Sequence, residues 1–280
     1  MGIVEFAKNP WGQDVPIHIF FYLIWVSVIA GLAFLVIHAI WARYFAKPDA
    51  YAEGEYPAPP SSAIPEKVAR HSLAARLFHW VMAAAMFALL ITAFLPRMSV
   101  KFPWVTYHWI AGLVLTASIL FHIVHASFFM DFWSIWPNKT DREDAHNKAL
   151  LMMGKAAPLP RRSGKYPLEN QMYHLIIVLT GLAVMCTGIF MMFRVRTPLF
   201  PRNPYLFSDM TWGMMYALHG LAGVGLIALI MAHVYFALRP EKLAITKSMV
   251  FGSMSREHYL EHHDPRRWAP ASMTKSAGSR

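Results

Sequence analysis

Two histidine pairs share one interval. His108 and His122 lie 14 residues apart in one apolar run, and His219 and His233 lie 14 apart in another. An ionisable side chain inside a hydrocarbon layer is costly and marks function. Neutral imidazole is also a ligand for transition metals, haem iron included. Fourteen residues of α-helix rise about 21 Å and turn about 1400°, which returns to within about 40° of the same face. Each run thus presents two imidazoles on one stripe, one toward each membrane surface, and two stacked metal centres fit that pattern. Gly112, Gly181, Gly220, Gly223 and Gly225 sit near these positions, where small residues admit a flat macrocycle or a neighbouring helix. A single such histidine is as well explained by a hydrogen bond to a neighbouring helix or by snorkelling; matched pairs are not. His79, within Arg76-Leu77-Phe78-His79-Trp80, opens a further apolar run. His79, His122, His125 and His233 therefore compete for the inner site, and spacing alone favours His122.

The elements that must hold these side chains are membrane spans. Of the 280 residues, 56% are hydrophobic and 15% charged, where soluble domains carry about 25% charged residues. Five segments, 17–42, 78–96, 105–130, 172–194 and 212–238, can each cross about 30 Å of hydrocarbon as a helix. Pro16, Pro96, Pro103 and Pro240 punctuate their ends. Trp11, Trp80, Trp104, Trp109, Trp133, Trp136 and Trp212 form an interfacial belt. The first span reads as a retained helix and not as a cleaved signal. The single cysteine, Cys186, excludes an internal disulfide, and no C-x-x-C-H or cysteine set exists for c-type haem or an iron–sulfur cluster. The net charge of +10 lies between the spans, so it sets topology and does not point to nucleic acid. Segments 43–77, 131–171 and 239–280 hold 20 Lys and Arg, the opposite set 6. The positive-inside rule then puts the N-terminus outside and the C-terminus in the cytoplasm of a bacterial inner membrane. The connection from Ala46 to about Arg76 is expected to be extended chain. A surface helix is expected after Pro240, and disorder over the last ten residues.

From Arg76 onward the chain resembles the gamma subunit of membrane-bound formate dehydrogenases, a di-haem cytochrome b whose relatives serve hydrogenases and other respiratory complexes. Arg76-Leu77-Phe78-His79-Trp80 and Tyr107-His108-Trp109-Ile110-Ala111-Gly112 resemble its first two ligand motifs. Gly164-Lys165-Tyr166 with Asn170-Gln171 resembles the loop before its third helix. Leu218-His219-Gly220-Leu221-Ala222-Gly223, continuing to His233-Val234-Tyr235, resembles its last helix, and Gly252 to Trp268 its basic tail. The first span has no counterpart in the short family members. The loop Tyr166-Pro167-Leu168-Glu169-Asn170-Gln171 also departs from the family pattern, which more often has Asn directly after Tyr.

The expected fold is all-α, an integral membrane bundle of five transmembrane helices, four of them forming the haem-binding core that the resemblance implies. Its parts are an extra N-terminal helix (1–45), a cytoplasmic linker (46–75), the di-haem core (76–240) and a cytoplasmic tail (241–280). The resemblance implies two b-type haems, the outer held by His108 and His219 and the inner by His79 and His233, with His122 beside the inner one. A quinone, menaquinone or ubiquinone, would meet Asn170, Gln171 and His174 near the cytoplasmic surface. An iron–sulfur subunit and a catalytic subunit carrying molybdenum, tungsten or another redox centre would meet the outer haem. The competing expectation is a membrane di-iron oxygenase or desaturase using His122-x-x-His125 and His258-x-x-x-His262-His263. A cofactor-free anchor or transporter is the third.

Overall fold

A computed structural model describes residues 2–46, 50–52 and 63–270. The expected linker falls outside the described residues at 47–49 and 53–62, and the expected disordered last ten residues fall outside them entirely. The structure is mostly helical. Five helices are long and apolar enough to cross a membrane: Tyr22–Tyr44, Leu73–Met98, Trp104–Phe129, Leu168–Arg194 and Asp209–Leu238. They comprise α1 (Tyr22–Tyr44), α2 (Leu73–Phe94), α3 (Trp104–Phe129), α5 (Leu168–Met191) and α6 (Asp209–Leu238), with 3-10 turns extending α2 and α5. Between the third and fourth spans lies α4 (Lys139–Met152), and α7 (Leu243–Phe251) and α8 (Arg256–His262) follow the last. Large apolar side chains stand outward along the spans, Ile37 at 66% exposure and Phe128 at 78%. Hydrocarbon solvates such surfaces, and helices satisfy their own backbone polar groups there. This is a multi-pass membrane bundle.

The first span starts later than its hydropathy predicts. Residues 14–19 form a strand, β2 (Asp14–Ile19), which pairs antiparallel with β1 (Val4–Lys8). Asn9 closes the hairpin: its Oδ1 accepts from the backbone N–H groups of Trp11 and Gln13 at 3.1 and 2.9 Å. Gly12 takes φ +75° there, a conformation glycine adopts without cost. The hairpin seats on α6 at Gly213, where an added Cβ would lie 1.8 Å from the Pro16 carbonyl oxygen. Backbone meets backbone at that point, so no side chain fits.

The chain divides into two compact units. The first comprises Met1–Arg43, Phe78–His122 and Ile176–Tyr235. In it α1 packs on α6: Ser27 Oγ donates to the Val224 carbonyl at 2.8 Å, and an added Cβ on Gly31 would stand 3.0 Å from Met231. His38, unassigned from sequence, has its Nδ1 3.1 Å from the Tyr235 hydroxyl. Small residues and interhelical hydrogen bonds of this kind hold helices together where lipid removes the hydrophobic drive. His18, also unassigned, directs Nδ1–H to the Ile19 carbonyl at 3.0 Å.

The second unit comprises Tyr44–Leu77, Ile123–Leu175 and Phe236–Arg280. Its small core is Ile64, Val68, Met254 and Tyr259, with Trp268 packed against it. Strands β3 (Lys67–Ala69) and β4 (Ser253–Ser255) pair antiparallel beside that core. Asn138 caps α4 through a reciprocal box with Asp141, which satisfies two backbone donors at once. Asp141, 6% exposed, pairs with Arg267. Arg70 is 4% exposed. It donates to the Lys165 carbonyl at 2.8 Å and to His263 Nε2 at 3.1 Å, and it lies over the Tyr166 and Trp268 rings. Burial draws Arg70 down to about 10. Burial, and then the Arg70 charge, push His263 down to about 3, so this imidazole is neutral. The tail is thus folded from Ser253 to Trp268.

Candidate functional site

Helix α6 carries two of the four paired histidines, and each meets a histidine of another helix within the first unit. The His219 and His108 rings have centroids 6.1 Å apart and planes at 68°. The His233 and His79 rings have centroids 6.2 Å apart and planes at 52°. His122 takes no part in this second pair. Its ring stacks on Phe78, centroids 4.2 Å apart and planes at 7°. The equal interval on α3 thus proves uninformative for the inner position. Spacing fixes the face of one helix but not which neighbour stands opposite. His125 stacks on Phe129 at 5.8 Å.

Two threonines decide which nitrogen of one pair is available. Thr92 Oγ1 donates to the Ala88 carbonyl at 2.7 Å and lies 2.8 Å from His108 Nδ1. A hydroxyl has one proton. With that proton on the carbonyl, His108 Nδ1 must be the donor and Thr92 the acceptor. His108 Nε2 then keeps its lone pair. Thr187 repeats the arrangement, donating to the Ala183 carbonyl at 2.5 Å and accepting from His219 Nδ1 at 2.9 Å. An outer partner on the second nitrogen is the usual device for orienting a metal-ligating histidine. Neither threonine stands out in the sequence, because threonines in apolar helices commonly bond back to the i−4 carbonyl.

The residues present fit b-type haem: imidazoles are its usual ligands, and in each pair two of them face one another with ring centroids 6.1 and 6.2 Å apart. The glycines divide by role. Gly181 is buried, yet nothing lies within 4 Å of an added Cβ, and Gly223 and Gly225 are equally open. Gly188 faces the His219 ring: an added Cβ would stand 3.3 Å from its Cε1. Gly220 instead makes room for Ile19 of the hairpin, which an added Cβ would approach to 3.0 Å, so it packs protein and not a macrocycle.

Residues 70–252, well over half of the chain, match the family described as prokaryotic cytochrome b561. The chain belongs to the prokaryotic cytochrome b561 family. The matched stretch contains α2, α3, α5 and α6 with all four paired histidines; the hairpin, α1 and α8 lie outside it. A cytochrome b561 is a membrane electron-transfer protein with b-type haem, and the imidazole pairs are groups suited to such a cofactor. A comparison with curated proteins found no match.

The residues expected around a quinone lie at the start of α5. Asn170 is exposed on the first turn. Gln171 is 3% exposed, and its Nε2 lies 3.3 Å from each of the Ser134 carbonyl, the Tyr166 carbonyl and Asp141 Oδ2. Its amide protons are thus directed to protein. His174 meets Trp136 edge to face, centroids 6.1 Å apart. Trp136 Nε1 and Gln171 Oε1 are buried without a hydrogen-bond partner among the described residues. Among those residues, one group of three potential metal ligands can share an ion: His258, Glu261 and His262. Neither His122 nor His125 belongs to it, so the two boxes of the di-iron expectation do not assemble as one such group.

Proposed function

We propose that this cytochrome b561 is the membrane subunit of a respiratory oxidoreductase complex. It carries electrons through two b haems between a redox partner on the outer face and a quinone, menaquinone or ubiquinone, near the cytoplasmic face. The observation that supports this is the two opposed imidazole pairs at 6.1 and 6.2 Å, built on a shared helix. His108 and His219 are assigned to the outer haem, and His79 and His233 to the inner. Bound haem supplies reversible one-electron chemistry. The protein's part is ligation, a dry surround of apolar helices, and N–H donors turned away from the metal by Thr92 and Thr187. These set affinity and potential.

For the quinone, Trp136 Nε1–H and His174 are the assigned donors to a carbonyl oxygen. Gln171 Oε1 accepts from the hydroxyl of the reduced form. Asn170 is assigned to the mouth of that site, and His122 packs beside the inner haem. The basic loops and tail are assigned to the cytoplasm on the charge asymmetry. Proton uptake would then be cytoplasmic, and quinone reduction would build membrane potential. The partner is an iron–sulfur subunit bearing a molybdenum, tungsten or other redox catalytic subunit, as the formate dehydrogenase gamma resemblance implies. No nucleic acid is involved.

The deciding experiment is a dithionite-reduced minus oxidised spectrum of the purified protein with haem quantified per chain. Sharp b-type bands and two haems per chain are expected. One haem, or none, overturns the two-haem assignment.

A further inference from the structure

Helix α8 carries His258, Glu261 and His262 within little more than one turn, with one ligand atom from each within 4.8 Å of the others. The helix is fixed in place. Ser255 caps it, accepting from the His258 backbone N–H at 3.3 Å, and Tyr259 is buried in the core of the second unit. With Tyr259 inward, residues 258 and 262, one turn apart, share a flank. Two imidazoles at that interval are a standard chelating pair on a helix, and the order His-x-x-Glu-His is one of the sequence forms it takes.

The placement of the ring nitrogens favours a cation. His262 Nδ1 lies 3.3 Å from the His258 carbonyl oxygen. A carbonyl only accepts, so Nδ1 is the donor in that contact and Nε2 is left outside it. His258 Nε2 is buried with no hydrogen-bond partner among the described residues. The two rings stack, centroids 4.2 Å apart and planes at 24°. Two imidazoles are therefore held together, one of them with a buried, unsatisfied nitrogen, beside an exposed carboxylate. The neighbouring His263 is excluded from the set, because Arg70 donates to its Nε2 and its Nδ1–H is on the Gly164 carbonyl at 2.7 Å.

We propose that His258, Glu261 and His262 form a mononuclear site for a divalent transition-metal ion, zinc in the first place. Imidazole nitrogen with one carboxylate suits zinc, with bonds of about 2.0–2.2 Å. Three protein ligands leave a position for water or a further group. The site stands outside the span matched to cytochrome b561 and does not depend on the haem assignment.

The test uses full-length, haem-loaded protein in detergent, without a polyhistidine tag, freed of adventitious metal with a chelator. Zinc is titrated calorimetrically, and metal per chain is measured after desalting. One retained zinc per chain is expected. His258→Ala with His262→Ala should abolish it, and Glu261→Gln should weaken it by about tenfold or more. His146→Ala should leave it unchanged. The haem spectrum of each variant reports whether the protein is intact, and Glu261→Gln, on an exposed side chain, covers the case where the double variant does not fold. Absence of stoichiometric zinc in the wild type, or full retention in an intact double variant or in Glu261→Gln, overturns the proposal.

Discussion

The hydroxyl of Thr92 lies 2.8 Å from Nδ1 of His108, and its proton is already committed to the Ala88 carbonyl. The contact therefore works in one direction only, and it selects the nitrogen left to bind a metal. Thr92→Val keeps the shape and removes the acceptor. Haem affinity at the His108–His219 position is expected to fall about 10- to 100-fold, with a shifted midpoint potential there. Thr187→Val should do the same through His219, while the His79–His233 centre keeps its potential. A spectroscopic redox titration of both variants checks this; unchanged potentials and full haem content would remove the threonines from the argument.

His219→Ala is expected to reduce haem from two per chain to one. His122→Ala should leave two, because that ring stacks on Phe78 while His79 is the ring that meets His233. Pyridine haemochrome quantification separates the outcomes. Loss of a haem in the second variant would return His122 to the ligand set that its 14-residue spacing first favoured.

Gly213→Ala places a methyl group against the Pro16 carbonyl, at 1.8 Å before relaxation. The hairpin must lift from α6. The cost should be about 1–3 kcal/mol, with faster proteolysis between Val4 and Ile19. Protease resistance equal to wild type would show that the strand pair does not depend on this seat.

Trp136→Phe removes one buried N–H and little volume. Loss of a single hydrogen bond to substrate corresponds to about a 2- to 10-fold fall in quinone reduction, with an unchanged haem spectrum. His174→Ala should fall further. Steady-state assays with a soluble quinone analogue test both, and wild-type rates in both variants would move the quinone elsewhere.

The five spans were legible because lipid permits few solutions to the backbone hydrogen-bond problem, and a long apolar run states the helical one directly. The start of α1 was not, since Ile17-His18-Ile19-Phe20-Phe21 is as apolar as the helix it precedes. Only pairing with Val4–Lys8, and the bare backbone at Gly213, makes it strand. The paired histidines on α6 were legible from spacing, whereas His79 opposite His233 required knowing which helix is the neighbour. Trp136 read as an interfacial aromatic, and its unsatisfied Nε1 emerges only in three dimensions. The pairing of β3 with β4 joins segments nearly two hundred residues apart through three-residue strands, too short for any periodic signal. Helix α4 was missed although Asn138 and Asp141, three apart, spell its cap.

Helix α6 supplies one imidazole to each of the two pairs, and this makes it a gauge bar. Thirteen residues separate His219 from His233, and substitutions among them that keep the helix straight leave the gap unaltered so long as their number holds. Deleting one would swing His233 by about 100° and draw it in by about 1.5 Å, carrying it away from His79. The interior of this helix can therefore drift in composition but not in length, while the loops that precede and follow it carry no such restriction.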